Sequence, residues 1–266
     1  VCRFDGQHAW ELLSEFAARG KRPPGTQEHR KAIEDFFHRM QMLCEQSWLQ
    51  EFSLPFRGKQ ISCANICGLI RGKNSLFTVL IGSHFDTRWI ADNEEDPVLK
   101  HQPIPGVNDG TSGVAVIFEL MRILSERGPE TDIVFVLFDA EDIGNIDGYE
   151  FGVGADVYAR EGKVRPDLVI TLDMVGGKDM HLIIDFNSCV GEYSKEVFNT
   201  IFSIGRELGF PCFFNNMVNI IIGDHYPFVR QHIPAIMLID IDYPHWHTQR
   251  DTIDHCSKDS LFYVGE

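Results

Sequence analysis

Apolar residues recur at helical spacing over residues 7–18 and 27–46, and the Arg-Pro-Pro-Gly-Thr stretch at 22–26 separates the two. Residues 48–56 and 60–71 read as two strands joined at Gly58. Short, nearly continuous apolar runs at 76–82, 133–138, 168–172 and 235–239 predict strands buried on both faces. Pro234 stands at the entrance of the last one, a position that a strand start tolerates. Helical spacing returns at 112–126, 154–161 and 191–208, and a polar loop is expected over 86–106. Residues 258–266 read as the first turns of another helix, with the expectation that the natural chain continues. Strands alternate with helices throughout. The pattern predicts an α/β fold, a single domain over residues 1–266 built as a three-layer sandwich. Its central sheet is mixed and mostly parallel, with helices on both faces.

Composition narrows the role. The 266 residues are 44% hydrophobic and 24% charged, ordinary for a globular chain that buries its own core. No apolar run approaches the ~20 residues of a membrane helix, so a membrane-spanning role is not expected. Against 24 Lys and Arg stand 39 Asp and Glu, a net charge of −15 that repels a phosphate backbone. No nucleic-acid partner is expected. Seven cysteines without a CxxC pair point to buried thiols rather than a thiolate zinc site. The sequence opens on Val1, not Met, which raises the expectation of a removed leader and an exported protein.

In open α/β sheets, sites form beyond the carboxyl ends of the strands. Here those ends carry chemistry. The 76–82 strand leads into Ser83-His84-Phe85-Asp86, the 133–138 strand into Asp139-Ala140-Glu141-Asp142, and the 168–172 strand into Asp173. The 235–239 strand leads past Asp240 and Asp242 to His245-Trp246-His247, and Asn108-Asp109-Gly110 precedes the helix at 112–126. Taken alone, Asp109 reads as a helix cap and Asp86 as a turn former. Their recurrence at successive strand ends points instead to a divalent site of His and carboxylate ligands, of the kind that suits zinc. In the adjacent pair Glu141-Asp142, one acid is placed to bind metal while its neighbour stays free as a base.

These motifs together, with Trp246-His247-Thr248, resemble the zinc-dependent aminopeptidase superfamily, in particular its glutaminyl cyclase branch of bacterial type. The resemblance runs from about residue 22 to about residue 254. It implies one zinc held by Asp109, Asp142 and His247, with Glu141 as general acid/base. Asp173 and Asp224, the latter within Gly223-Asp224-His225-Tyr226-Pro227-Phe228, would form a second acidic pair. In peptidase relatives, His84 and Asp173 would complete a second zinc site bridged by Asp109, and the same positions are filled here. Two features favour the cyclase: Trp246 directly before the metal histidine, able to stack on a small flat side chain as a substrate-binding wall, and the 224–228 segment. Three features depart from the pattern. Asp142 stands where Glu is usual, Met237 stands where animal cyclases have a histidine, and the loop after Asp142 is shorter than in animal enzymes.

The implied activity is zinc-dependent cyclisation of N-terminal glutamine in peptides or proteins to pyroglutamate, with release of ammonia. The alternative is a di-zinc aminopeptidase that removes N-terminal residues. A binding domain that has lost catalysis is disfavoured, since no ligand position carries an apolar residue.

Overall fold

The computed structural model describes residues 3–266, so Cys2 lies outside it. Two N-terminal helices, α1 (Gly6–Ala17) and α2 (Gln27–Leu43), precede an antiparallel pair, β1 (Gln46–Phe56) and β2 (Lys59–Ile70). Then β3 (Asn74–His84), α3 (Thr111–Arg127), β4 (Thr131–Phe138), α4 (Val153–Glu161) and β5 (Leu168–Asp173) follow in βαβ fashion. The remainder is β6 (Ile184–Asp185), α5 (Glu192–Glu207), β7 (Val218–Asn219), α6 (Tyr226–Arg230), β8 (Ala235–Ile239) and α7 (Lys258–Gly265).

Six strands form one sheet in the order β1-β2-β4-β3-β5-β8. The β4-β3-β5-β8 half is parallel, and β2 joins β4 antiparallel. The alternation within β4 shows why helices cover both faces. Ile133, Phe135 and Leu137 pack with α1, α2, α3, α5 and α7, whereas Val134, Val136 and Phe138 pack with α4 and α6. Burial of both faces is what the continuous apolar runs demand. The chain crosses from β3 to β4 on one side and then returns past β3 to β5. The carboxyl ends of β4, β3 and β5 therefore surround one crevice, the place where α/β sheets bind ligands.

Element boundaries differ from the sequence expectation where local patterns end ambiguously. The helix expected to run through residue 46 stops at Leu43, because Cys44 turns extended (φ −107°, ψ 145°) and β1 already starts at Gln46. The strand expected at 76–82 continues to His84, so this histidine belongs to the strand itself. Helix α6 and the β6/β7 ladder are too short for any periodicity to show. The loop at 86–106 is polar in sequence, yet Asp86, Thr87, Arg88, Ala91 and Ile104 are buried. The cysteines among the described residues are all free. No helix there is long and apolar enough to cross a membrane.

Candidate active site

Two triads of possible ligands meet in the crevice and share Asp109: His84, Asp109 and Asp173 in one, Asp109, Asp142 and His247 in the other. His84 arrives from the end of β3, Asp173 from the end of β5, and Asp142 from the turn after β4. Asp109 stands just before α3, and His247 lies in the loop after β8. His84 Nε2 is 3.1 Å from Asp109 Oδ1 and 3.4 Å from Asp173 Oδ1. His247 Nε2 is 3.3 Å from Asp142 Oδ1 and 3.6 Å from Asp109 Oδ2.

Neither nitrogen of the His84 ring has a hydrogen-bond partner despite near-complete burial, and Asp109 Oδ2 and Asp142 Oδ2 have none either. Buried groups are rarely left so unless something else satisfies them. Ligand atoms ~2.0–2.2 Å from one tetrahedral zinc stand roughly 3.3–3.5 Å from each other, close to the spacings found here. Gly110 makes room for the arrangement. It adopts φ +71°, and a Cβ there would meet the His84 ring at 2.5 Å. The donors, their spacing and their orphaned atoms thus fit zinc at the Asp109–Asp142–His247 triad, and a second ion fits the His84 triad.

The backbone that carries these ligands is clasped by carboxylates. Asp86 accepts hydrogen bonds from the amides of Glu141 and Asp142, each at 3.1 Å. Asp251 does the same for Asn108 (2.8 Å) and Asp109 (3.1 Å), and also accepts from the Tyr243 hydroxyl at 3.0 Å. Asp92 Oδ1 lies 3.0 Å from His247 Nδ1, the arrangement that fixes the tautomer and direction of a metal-binding imidazole. Arg88, itself buried, pairs with Asp92 and donates to the carbonyls of Asp142 and Gly144, both at 3.0 Å. None of these supporting roles shows in the sequence pattern. Only Asp86 was in view there, as a turn former, and the structure makes it an acceptor for a distant turn.

Charge in the crevice is heavily negative. Burial, followed by repulsion from Asp142, raises the Asp109 carboxyl to about 6. Burial likewise pushes Glu141 well above the ordinary carboxylate range, with Asp224, Asp142 and Asp173 adding to the push while His84 opposes it. Asp224 is raised well above its usual value mainly by burial, and Asp173 contributes. Burial opposes protonation of His247, but Asp142, Asp92 and Asp109 override it and lift the group to about 9. A divalent cation reverses this balance by stabilising the ionised carboxylates and the neutral imidazoles.

Above the triads lies a cavity of about 430 Å³ whose wall includes Asp109, Glu141, Asp142, Asp173, Trp246 and His247. The Trp246 and His247 ring centroids are 4.1 Å apart. Asp224 lies just beyond the cavity wall, next to the lining residue Gly223, with Oδ1 unpartnered. Asp240, Asp242 and His245 belong to neither triad among the described residues, although they follow β8; the His245 ring instead lies 3.7 Å from that of His255. Asp139 turns away to His29, 2.7 Å from its ring nitrogen. Met237 is buried in the apolar cluster against which Trp246 packs. The short loop after Asp142 supplies Asn145, Glu150 and Phe151 to the cavity, and Phe151 stacks over His247 at 6.3 Å; sequence reading missed all three.

Comparison with known proteins follows the same lines. Residues 65–266 match the model of peptidase family M28. Among solved structures, the chain is similar to a glutaminyl cyclase from Bacteroides thetaiotaomicron bound to N-acetylhistamine, with a TM-score of 0.91 and 28% identity, covering 100% of this chain and 96% of that one. A Zn-dependent exopeptidase from Parabacteroides distasonis superposes as closely, with a TM-score of 0.91, 27% identity and the same coverage of both chains. The aminopeptidase YwaD of Bacillus subtilis is 28% identical over 171 residues, 61% of this chain, which spans only 36% of the length of that relative.

Proposed function

The chain belongs to peptidase family M28, and on that footing we propose that it cyclises the N-terminal glutamine of peptides to pyroglutamate and releases ammonia. One observation carries this reading: Trp246 walls a cavity of about 430 Å³ directly against the Asp109–Asp142–His247 triad. An indole face there stacks on a flat, folded glutamine and leaves little space for a longer extended chain. The similarity to bacterial glutaminyl cyclases supports it.

Asp109, Asp142 and His247 would hold zinc, which when bound supplies Lewis-acid polarisation of the γ-carbonyl oxygen. Glu141 takes a proton from the α-amine as its nitrogen attacks the carbonyl carbon (Cδ) of the γ-carboxamide, and delivers it to the departing amide nitrogen. The new C–N bond closes a five-membered lactam, the old one breaks, and ammonia leaves. Without a bound cation, burial and the surrounding acids raise the Glu141 carboxyl well above its ordinary value. Asp173, on the cavity wall, accepts a hydrogen bond from the leaving nitrogen, with the buried Asp224 as the second member of the acidic pair behind it. Because the reaction is intramolecular, holding glutamine folded against Trp246 supplies much of the rate.

A second reading rests on the complete His84–Asp109–Asp173 triad, which suits a two-zinc aminopeptidase with Glu141 taking a proton from the attacking water. Separate incubations with Gln-Ala and Leu-Ala, reading ammonia and free amino acid, distinguish the two. Ammonia from Gln-Ala with Leu-Ala left intact is the expected result. Free leucine without ammonia overturns the cyclase reading, and zinc content per chain, one or two, is measured on the same samples.

A further inference from the structure

The cavity mouth carries apolar side chains that the chemistry at its floor does not use. Ile220 is 66% exposed and Ile222 45% exposed, yet both line the cavity, while Ile221 between them points inward and is buried. Phe186, 58% exposed, adjoins them across the β6/β7 ladder, where its amide donates to the Asn219 carbonyl at 2.8 Å. Large exposed apolar residues scattered singly need no explanation, but a contiguous group at a pocket rim marks a binding surface.

This rim is held in place by a buried polar hub. Asp185 accepts from the amides of Ser188 (2.7 Å) and Ile221 (2.9 Å) and from the Ser188 hydroxyl (2.7 Å), and lies 2.9 Å from His225 Nε2. Asn187 Nδ2 donates to the Ile221 carbonyl at 2.7 Å. Both polar groups of Ile221 are thereby tied to the protein body, which fixes its two neighbours facing outward.

We propose that Ile220 and Ile222, with Phe186 beside them, form an apolar subsite for the side chain that follows the N-terminal residue of a peptide substrate. The proposal rests on the reading that the substrate N-terminus sits at the metal triads. With the first residue in the cavity, the rest of the peptide must leave across the rim, and Ile220 and Ile222 are cavity-lining residues that also reach solvent. The acidic floor adds a bias against acidic residues in the same stretch of peptide.

The test compares kcat/KM for Gln-Phe and Gln-Gly amides, and for Leu-Phe and Leu-Gly amides, in the natural chain and in the double variant Ile220→Ser/Ile222→Ser. A preference of about tenfold for Phe over Gly is expected, the scale of a modest apolar pocket, falling to within about twofold in the double variant. Leu76→Ser serves as control: this residue is 90% exposed at the opposite end of β3 from His84, and the preference should survive there. Equal rates on Phe and Gly peptides, or a preference the double variant leaves intact, overturns the subsite while leaving the cyclase reading in place. Free leucine with a Phe preference overturns the cyclase reading and supports the subsite. A dimer that the double variant dissolves assigns the ledge to a second copy of the chain and overturns the proposal.

Discussion

Replacing Asp86 with Ala isolates what the carboxylate clasp contributes. Asp86 is fully buried, and its two oxygens accept the amides of Glu141 and Asp142 at 3.1 Å each. These amides follow Ala140, a residue held at φ +55°, which costs a side-chain-bearing residue ~1–2 kcal/mol. Hydrogen bonds to a charged acceptor contribute ~1.5–3 kcal/mol each, and losing two of them exposes a gross loss of about 3–6 kcal/mol. Removing the carboxylate also removes the cost of burying it, and the Ala140 strain relaxes, so about 3 kcal/mol is the expected net destabilisation. For a chain of this size that lowers the melting midpoint by roughly 6–12 °C. The functional loss should be larger than stability alone gives. With the turn released, Glu141 and Asp142 lose their fixed positions, and misplacement by ~1 Å costs about 10² in turnover. Turnover is measured well below the variant's melting midpoint, where the protein is still folded, alongside thermal unfolding and zinc content. A variant with natural turnover, or one whose activity falls only in proportion to its unfolded fraction, would refute the clasp as a positioning device.

Other substitutions separate neighbouring roles. Glu141→Gln should keep its zinc and lose at least ~10² in turnover, the scale of a general acid/base; zinc loss on dialysis would instead make Glu141 the ligand and Asp142 the bystander. His247→Ala should lose zinc and activity together, and full zinc occupancy in that variant sinks the triad assignment. Asp92→Ala leaves His247 Nδ1 without its 3.0 Å partner and should weaken zinc retention in a chelator competition by about 10- to 100-fold, with unaltered affinity counting against the assignment. Burial opposes ionisation of Asp185, but His225, Ser188 and the Ile221 amide hold its carboxyl below the usual range. A depressed folded-state value means stability that is present above the unfolded value near ~3.9 and lost as pH falls through the folded one. Asp185→Asn should therefore be less stable at neutral pH and show a flatter acid limb; a parallel acid limb in the two proteins contradicts this.

The sequence by itself determined the architecture. Runs such as Ile133–Phe138 are apolar at every position because both sheet faces are covered, and alternation of such runs with helical segments leaves few arrangements other than a mostly parallel sheet between two helical layers. It also determined where chemistry gathers, because parallel strands that carry His84, Glu141, Asp142 and Asp173 at their carboxyl ends deliver them to one edge whatever the details of packing. Tertiary structure alone decided the rest. Asp86, Asp92 and Asp251 act on partners more than 50 residues away in Glu141, Asp109 and His247, so no local spacing can announce them. Asp240 and His245 follow a strand end as Asp173 does, yet the turn after β8 carries them away from the triads, and Asp139 faces His29 although Glu141 and Asp142 of the same turn line the cavity. The reason is physical: periodicity reports which side of an element is buried, whereas a ligand's direction is set by the turn that follows the element, and that turn is held by hydrogen bonds to distant parts of the chain.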